Sequence, residues 1–124
     1  LMVAALSDKQ IFQIAGYLSK QKPATVNHTL KGDAVKGKAL FAACAACHGA
    51  NAEGNASRDF RAAPLSNLPD WYIVEQLKNF KSGIRGTDPK DARGAVMRTQ
   101  ALAVKSEQDM IDIAEYIKTL TPAK

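Results

Sequence analysis

The sequence predicts an all-α fold wrapped around a large bound group, and three observations carry that expectation. Four segments repeat apolar residues at the i, i+3, i+4, i+7 spacing that lines one face of a helix. No stretch sustains the alternation of a half-buried strand. Two irregular segments, residues 49–69 and 83–104, are rich in Gly, Asn, Pro, Ala and Arg and exceed the ~12–15 residues a compact domain usually leaves unstructured. Loops of that length need something to enclose, and a large apolar cofactor would supply the missing core.

The elements follow in order. Ile11, Ile14, Ala15 and Leu18 form the stripe of a first helix, with Ser7 or Asp8 as N-cap and Pro23 as its stop. Asp33 caps a second helix that runs through Ala34, Leu40 and Phe41 to the cysteines. The third starts at Asp70 as its cap, turns Trp71, Ile73, Val74, Leu77 and Phe80 inward, and stops at Gly83. The fourth starts near Ser106, uses Met110, Ile113, Ala114, Ile117 and Leu120, and ends before Pro122.

A chain of 124 residues suits one domain with a modest core. Its 46% hydrophobic content is too high for a disordered chain. The longest apolar run, residues 39–47, is about half the ~18 residues a membrane-crossing helix needs. The opening "LMVAALSDKQ" lacks the basic start of a secretory signal, and Asp8 interrupts its apolar stretch. The net charge of +5 suits a solvated surface or an acidic partner. Lys and Arg are scattered without interleaved aromatics, which argues against nucleic acid.

One internal repeat stands out. "SDKQIFQIAGYL" at residues 7–18 aligns with "SEQDMIDIAEYI" at 106–117, with the apolar stripe in phase. The spacing is about one small domain. Residues 1–31 are therefore read as an N-terminal helix and linker, the remnant of a preceding similar domain, and 32–124 as the main domain. Two partners are open to the apolar face of the first helix: its own domain, or a second domain or chain.

Both cysteines lie in "FAACAACHGAN", residues 41–51, three apart and followed at once by His48. A redox Cys-x-x-Cys sits at a helix start, where the helix dipole lowers the thiol pKa, but here helical pattern precedes the pair. A structural zinc site wants about four N or S ligands. Cys44, Cys47, His48 and distant His28 would have to supply them, and adjacent Cys47 and His48 strain a tetrahedral chelate. His28 sits in a polar linker and reads as a surface residue. Two thiols on one helical turn, with an imidazole next to them, instead suit addition to the two vinyl groups of a porphyrin, and Cys-x-x-Cys-His is the haem-attachment signature.

From residue 32 to 120 the chain resembles a class I c-type cytochrome, of the bacterial branch that includes two-haem periplasmic cytochromes. "GDAVKGKALFAACAACHG" resembles the first helix and haem motif, and "APLSNLPDWYIVEQLKNFKSGIRG" the proline loop and following helix. "GAVM" resembles the axial-methionine loop, and "DMIDIAEYIKTL" the last helix. The resemblance implies the cytochrome c fold with one covalent haem c. Cys44 and Cys47 would be the thioether links, His48 and Met97 the iron ligands, and the Pro64 carbonyl the acceptor for His48. Met97 is expected in a loop, whereas Met110 lies on a helix stripe and reads as core; Met2 has no second haem motif to serve. Leu65, Leu77, Phe80 and Leu102 would line the haem. Trp71, Tyr72, Arg85 and Arg58 would meet its propionates, with Trp71 and Tyr72 equally readable as core.

His plus Met saturates the iron, which suits single-electron transfer rather than catalysis, and Met ligation with burial raises the potential. The expected role is a periplasmic electron carrier, not an enzyme. Its partners would be redox proteins with acidic docking surfaces, steered by a rim of Lys78, Lys81, Arg85, Lys90, Arg93, Arg98 and Lys105. The rival reading, a haem enzyme or a gas- or peroxide-responsive domain, needs an open distal site, and the distal loop holds no histidine for acid–base work.

Overall fold

The computed structural model describes residues 2–22, 25–57 and 61–120. Pro23, Arg58, Pro122 and the side chain of Met2 lie outside that description. A short 3-10 turn at Met2–Ala5 precedes five α-helices: α1 (Asp8–Leu18), α2 (Ala34–His48), α3 (Asp70–Ser82), α4 (Ala92–Ala103) and α5 (Glu107–Lys118). Among the described residues the sole β feature is an isolated antiparallel bridge between Asn55 and Ala62.

Helix starts follow local chemistry. Ser7 and Ser106 each form a capping box, closed by Gln10 and Asp109, so two orphan amides are satisfied at each start. The Asp33 side chain accepts from Val35 and Lys36. The expected cap Asp70 is displaced by one residue. Pro69 occupies the N-cap, and Asp70, fully buried, begins the helix. Its carboxylate is drawn away from ordinary capping because it accepts from the amides of Thr29 and Leu30 as well as that of Trp71.

The most extensive helix pair is α2 against α5, and α3 packs on both α5 and α4. Phe41, Ile73, Val74, Leu77, Phe80, Met110, Ile113, Ala114 and Ile117 form the core, as their spacing predicts. Burying each large side chain contributes about 1.5–3 kcal/mol. Phe41 and Tyr116 meet at the crossing with ring centroids 5.5 Å apart. Trp71 departs from the inward expectation: it is 50% exposed and lies edge-on to Tyr72. It borders a cleft of about 370 Å³ with Leu30, Val74 and Lys78.

The linker into α2 is held by main-chain bonds to carboxylates. Thr29 and Leu30 donate to Asp70, Gly32 to Glu115, and Asp33 to Asp112, while the Lys118 ammonium binds the Leu30 carbonyl. Burial raises the Asp70 carboxyl, but its three amide donors and Lys118 outweigh that and hold it below the usual carboxylate range. The Asp33 amide does the same for Asp112, and the Lys118 ammonium for Glu115.

Two further differences bear on the site. Segment 83–104 is not all loop, because α4 occupies most of its second half. Its buried face is made of Gly94 and Ala101, too small to leave a hydrophobic period, and Asp91 caps it through the Gly94 amide. Helix α1 forms as expected but ends at Leu18, ahead of Pro23, and buries no residue. Phe12, Tyr17 and Leu18 are well exposed.

Candidate functional site

Helix α2 ends in the site. Cys44 and Cys47 are free thiols, both half-buried, and His48 is buried in the last position of the helix. Thiols three residues apart lie on one side of a helical turn. Burial pushes the Cys44 thiol up, the opposite of what a redox dithiol requires. His28 sits elsewhere, 3.9 Å from Asp70, rather than with the cysteines.

The chain after α2 folds back beneath His48. Gly54 donates to the His48 carbonyl, Asn55 to Ala62, and Leu65 and Ser66 to Ala52. These bonds set the Ala63 carbonyl 2.7 Å from His48 Nδ1. A carbonyl only accepts, so Nδ1 carries the proton and Nε2 keeps the free lone pair a metal needs. The acceptor is thus Ala63, not Pro64. Pro64 acts one bond away: it restricts Ala63 to extended backbone, which aims that carbonyl at the ring. Pro64 itself is exposed.

Met97 lies in the middle of α4, correcting the loop expectation. It is half-buried and packs, like Cys44 and Leu65, against the core cluster that includes Leu77 and Phe80. Leu102 is 47% exposed. Arg85 donates to Gln76 at 2.6 Å and stacks over the Phe80 ring. The expected cationic rim is thinner than the sequence suggests, because Lys78 pairs with Glu107 and Lys81 binds the Val104 and Lys105 carbonyls. Lys90 and Lys105 are exposed. One feature escaped sequence reasoning: Arg98 Nε is buried and has no hydrogen-bond partner.

The donor chemistry fits a covalent haem. Two free thiols and an imidazole with its distal nitrogen available share one helix end, a thioether sulfur packs on the same core, and a buried cationic donor lacks an anion. The fold and this donor set define a helical carrier of covalently attached haem.

Comparison with known proteins agrees. The cytochrome c family model matches residues 34–121. Cytochrome c-554(547) from Halothiobacillus neapolitanus is 39% identical over 94 residues, covering 72% of this chain and 98% of that protein. Cytochrome c4 from Azotobacter vinelandii is 30% identical over 129 residues, covering 96% of this chain and 58% of that protein. The crystal structure of reduced cytochrome c4 from Pseudomonas stutzeri superposes with a TM-score of 0.70 at 29% identity, over 97% of this chain and 64% of that one. The chain belongs to the cytochrome c family, electron carriers with a covalently bound haem c. It spans about three fifths of the cytochrome c4 relatives and nearly all of cytochrome c-554(547).

Proposed function

We propose that the chain is a single-electron carrier whose haem is fixed to Cys44 and Cys47 through thioethers and held by His48 and Met97. The observation that carries this reading is the His48 Nδ1–H bond to Ala63, at 2.7 Å. It fixes the tautomer and orients the ring so that the Nε2 lone pair is free. When bound, the haem supplies reversible one-electron chemistry at iron. Leu65, Leu77, Phe80 and Met97 keep water from its faces, and a dry site with methionine ligation favours the reduced form. His48 and Met97 would both be committed to the haem, leaving no position for a substrate, which favours an electron carrier over an enzyme.

Its partners are redox proteins, one delivering the electron and one removing it. The net charge of +5, with exposed Lys90 and Lys105, favours acidic docking surfaces. Covalent haem attachment of the bacterial kind implies the periplasm.

Residues 32–124 form the haem unit, and 1–31 belong to a neighbouring one. Two observations support this. The cytochrome c4 matches extend over 96–97% of the chain, past the start of the family model at residue 34. And Ile11, Ile14, Ala15 and Leu18 of α1 correspond, in the repeat, to the buried Met110, Ile113, Ala114 and Ile117 of α5. Since α5 buries that stripe within a domain where it packs on both α2 and α3, the partner suited to α1 is the corresponding helix surface of a second cytochrome unit.

The test is the visible spectrum of the purified protein, ferric and dithionite-reduced. Sharp low-spin c-type bands, with the weak far-red sulfur–iron band lost in Met97→Ala, support His48/Met97 ligation. A high-spin spectrum that shifts with cyanide or carbon monoxide overturns it.

A further inference from the structure

Among the described residues, Arg98 Nε is the one buried side-chain nitrogen or oxygen without a hydrogen-bond partner. Such an orphan is costly, and native interiors keep few of them. Packing holds the side chain in place. Helical spacing sets Arg98 on the face of α4 that carries buried Gly94 and Ala101. The turn after α3 presses on it: a Cβ on Gly86 would stand 3.1 Å from Arg98 Cβ, and one on Gly83 3.9 Å from Nε and Nη2. The ion pairs among the described residues do not include Arg98. The neighbouring Arg85 is already committed to Gln76 and Phe80.

A fixed, buried guanidinium N–H next in sequence to Met97, with no acceptor in the polypeptide, is the complement of an anion that the polypeptide does not supply. The covalent haem brings two, its propionate carboxylates. We propose that Arg98 binds a haem propionate through Nε–H, so that it positions the macrocycle against Met97 and holds the reduction potential up. The pairing is charge-assisted, and the guanidinium keeps its charge on burial. The reduced haem carries one positive charge fewer than the oxidised one, so a nearby fixed cation favours reduction. The inference rests on the haem lying between His48 and Met97.

The experiment compares the haem-loaded full chain with Arg98→Leu and Arg98→Lys, by equilibrium redox titration and by the propionate bending band in resonance Raman spectra. Arg98→Leu is expected to move that band and to shift the ferric-to-ferrous ratio at fixed potential about tenfold toward ferric, about 59 mV for one electron. Arg98→Lys, which keeps the charge, is expected to retain most of the potential. An unchanged band and ratio in Arg98→Leu overturn the proposal and assign Nε to a bound water. If Arg98→Leu does not fold, Arg98→Gln, uncharged but still a donor, must lower the potential in the same direction; an unchanged potential overturns the proposal equally. The far-red band of the unsubstituted protein is recorded in parallel, so that failure of Met97 ligation is told apart from failure of the Arg98 contact.

Discussion

Gly37 and Asp112 touch where α2 crosses α5: a Cβ on Gly37 would stand 1.9 Å from the Asp112 carbonyl oxygen. The contact lets the helix that presents the cysteines approach the last helix backbone to backbone. Alanine at position 37 would gain about 1 kcal/mol of helix propensity. It would also drive a methyl into main chain that cannot move without unpacking Phe41 and Tyr116, and overpacking of that kind costs about 3 kcal/mol or more. The clash wins. Gly37→Ala is expected to lower the unfolding free energy by a net ~2 kcal/mol or more, read as a lower midpoint in urea unfolding.

Asp70 ties three elements together, and its removal tests that role. Asp70→Asn keeps the shape but loses the charge that Lys118, at 3.5 Å, is set to balance. We expect a loss of about 3 kcal/mol, the usual cost of breaking a buried pair, in urea unfolding. Hydrogen exchange of the Thr29 and Leu30 amides should quicken before that of α5 does.

The same carboxylates set a direction for pH. Asp70, Asp112 and Glu115 are all held below their ordinary values in the folded chain. Groups with a depressed folded pKa contribute stability that is full above the unfolded value and lost as pH falls through the folded one. Unfolding free energy should therefore decline below about pH 4. In Asp70→Asn the decline over that window should be shallower. An equal slope in both proteins would show that Asp70 does not take part.

Pro64 is expected to act through Ala63. Replacing it with alanine frees residue 63 to leave the extended region and loosens the carbonyl that receives His48 Nδ1–H. Pro64→Ala should lower thermal stability by about 1 kcal/mol through the unfolded chain alone. It should also broaden the proximal-histidine signals in NMR of the reduced protein, which a purely entropic effect would leave sharp.

The repeat offers a paired test of α1. Ile14 is 45% exposed and its counterpart Ile113 is 3% exposed. Ile113→Asp buries an unpaired charge against α2 and should prevent folding. Ile14→Asp should change the stability of the isolated chain by no more than about 0.5 kcal/mol, as for other surface substitutions. A large loss in Ile14→Asp would mean that α1 does pack on this domain.

The distinction between these two isoleucines shows where sequence stops and tertiary structure begins. The capping boxes at Ser7 and Ser106, the Asp33 cap and the Gly83 stop all arise within a few residues, so the sequence alone declares them. The same holds for Cys44, Cys47 and His48, whose chemistry lies in their spacing. The apolar periods of α3 and α5 revealed the core for the same reason. Helix α4 escaped notice because its buried face is Gly94 and Ala101, which leave space without a hydrophobic signal. What only the tertiary structure decided are contacts between residues far apart in the chain. Asp70 serves amides about forty positions away, Ala63 rather than Pro64 meets His48, and Arg98 is shut in by the turn after α3. A stripe states only that a face is apolar. Whether that face finds a partner, as in α5, or stays bare, as in α1, depends on which surface the rest of the chain brings to it.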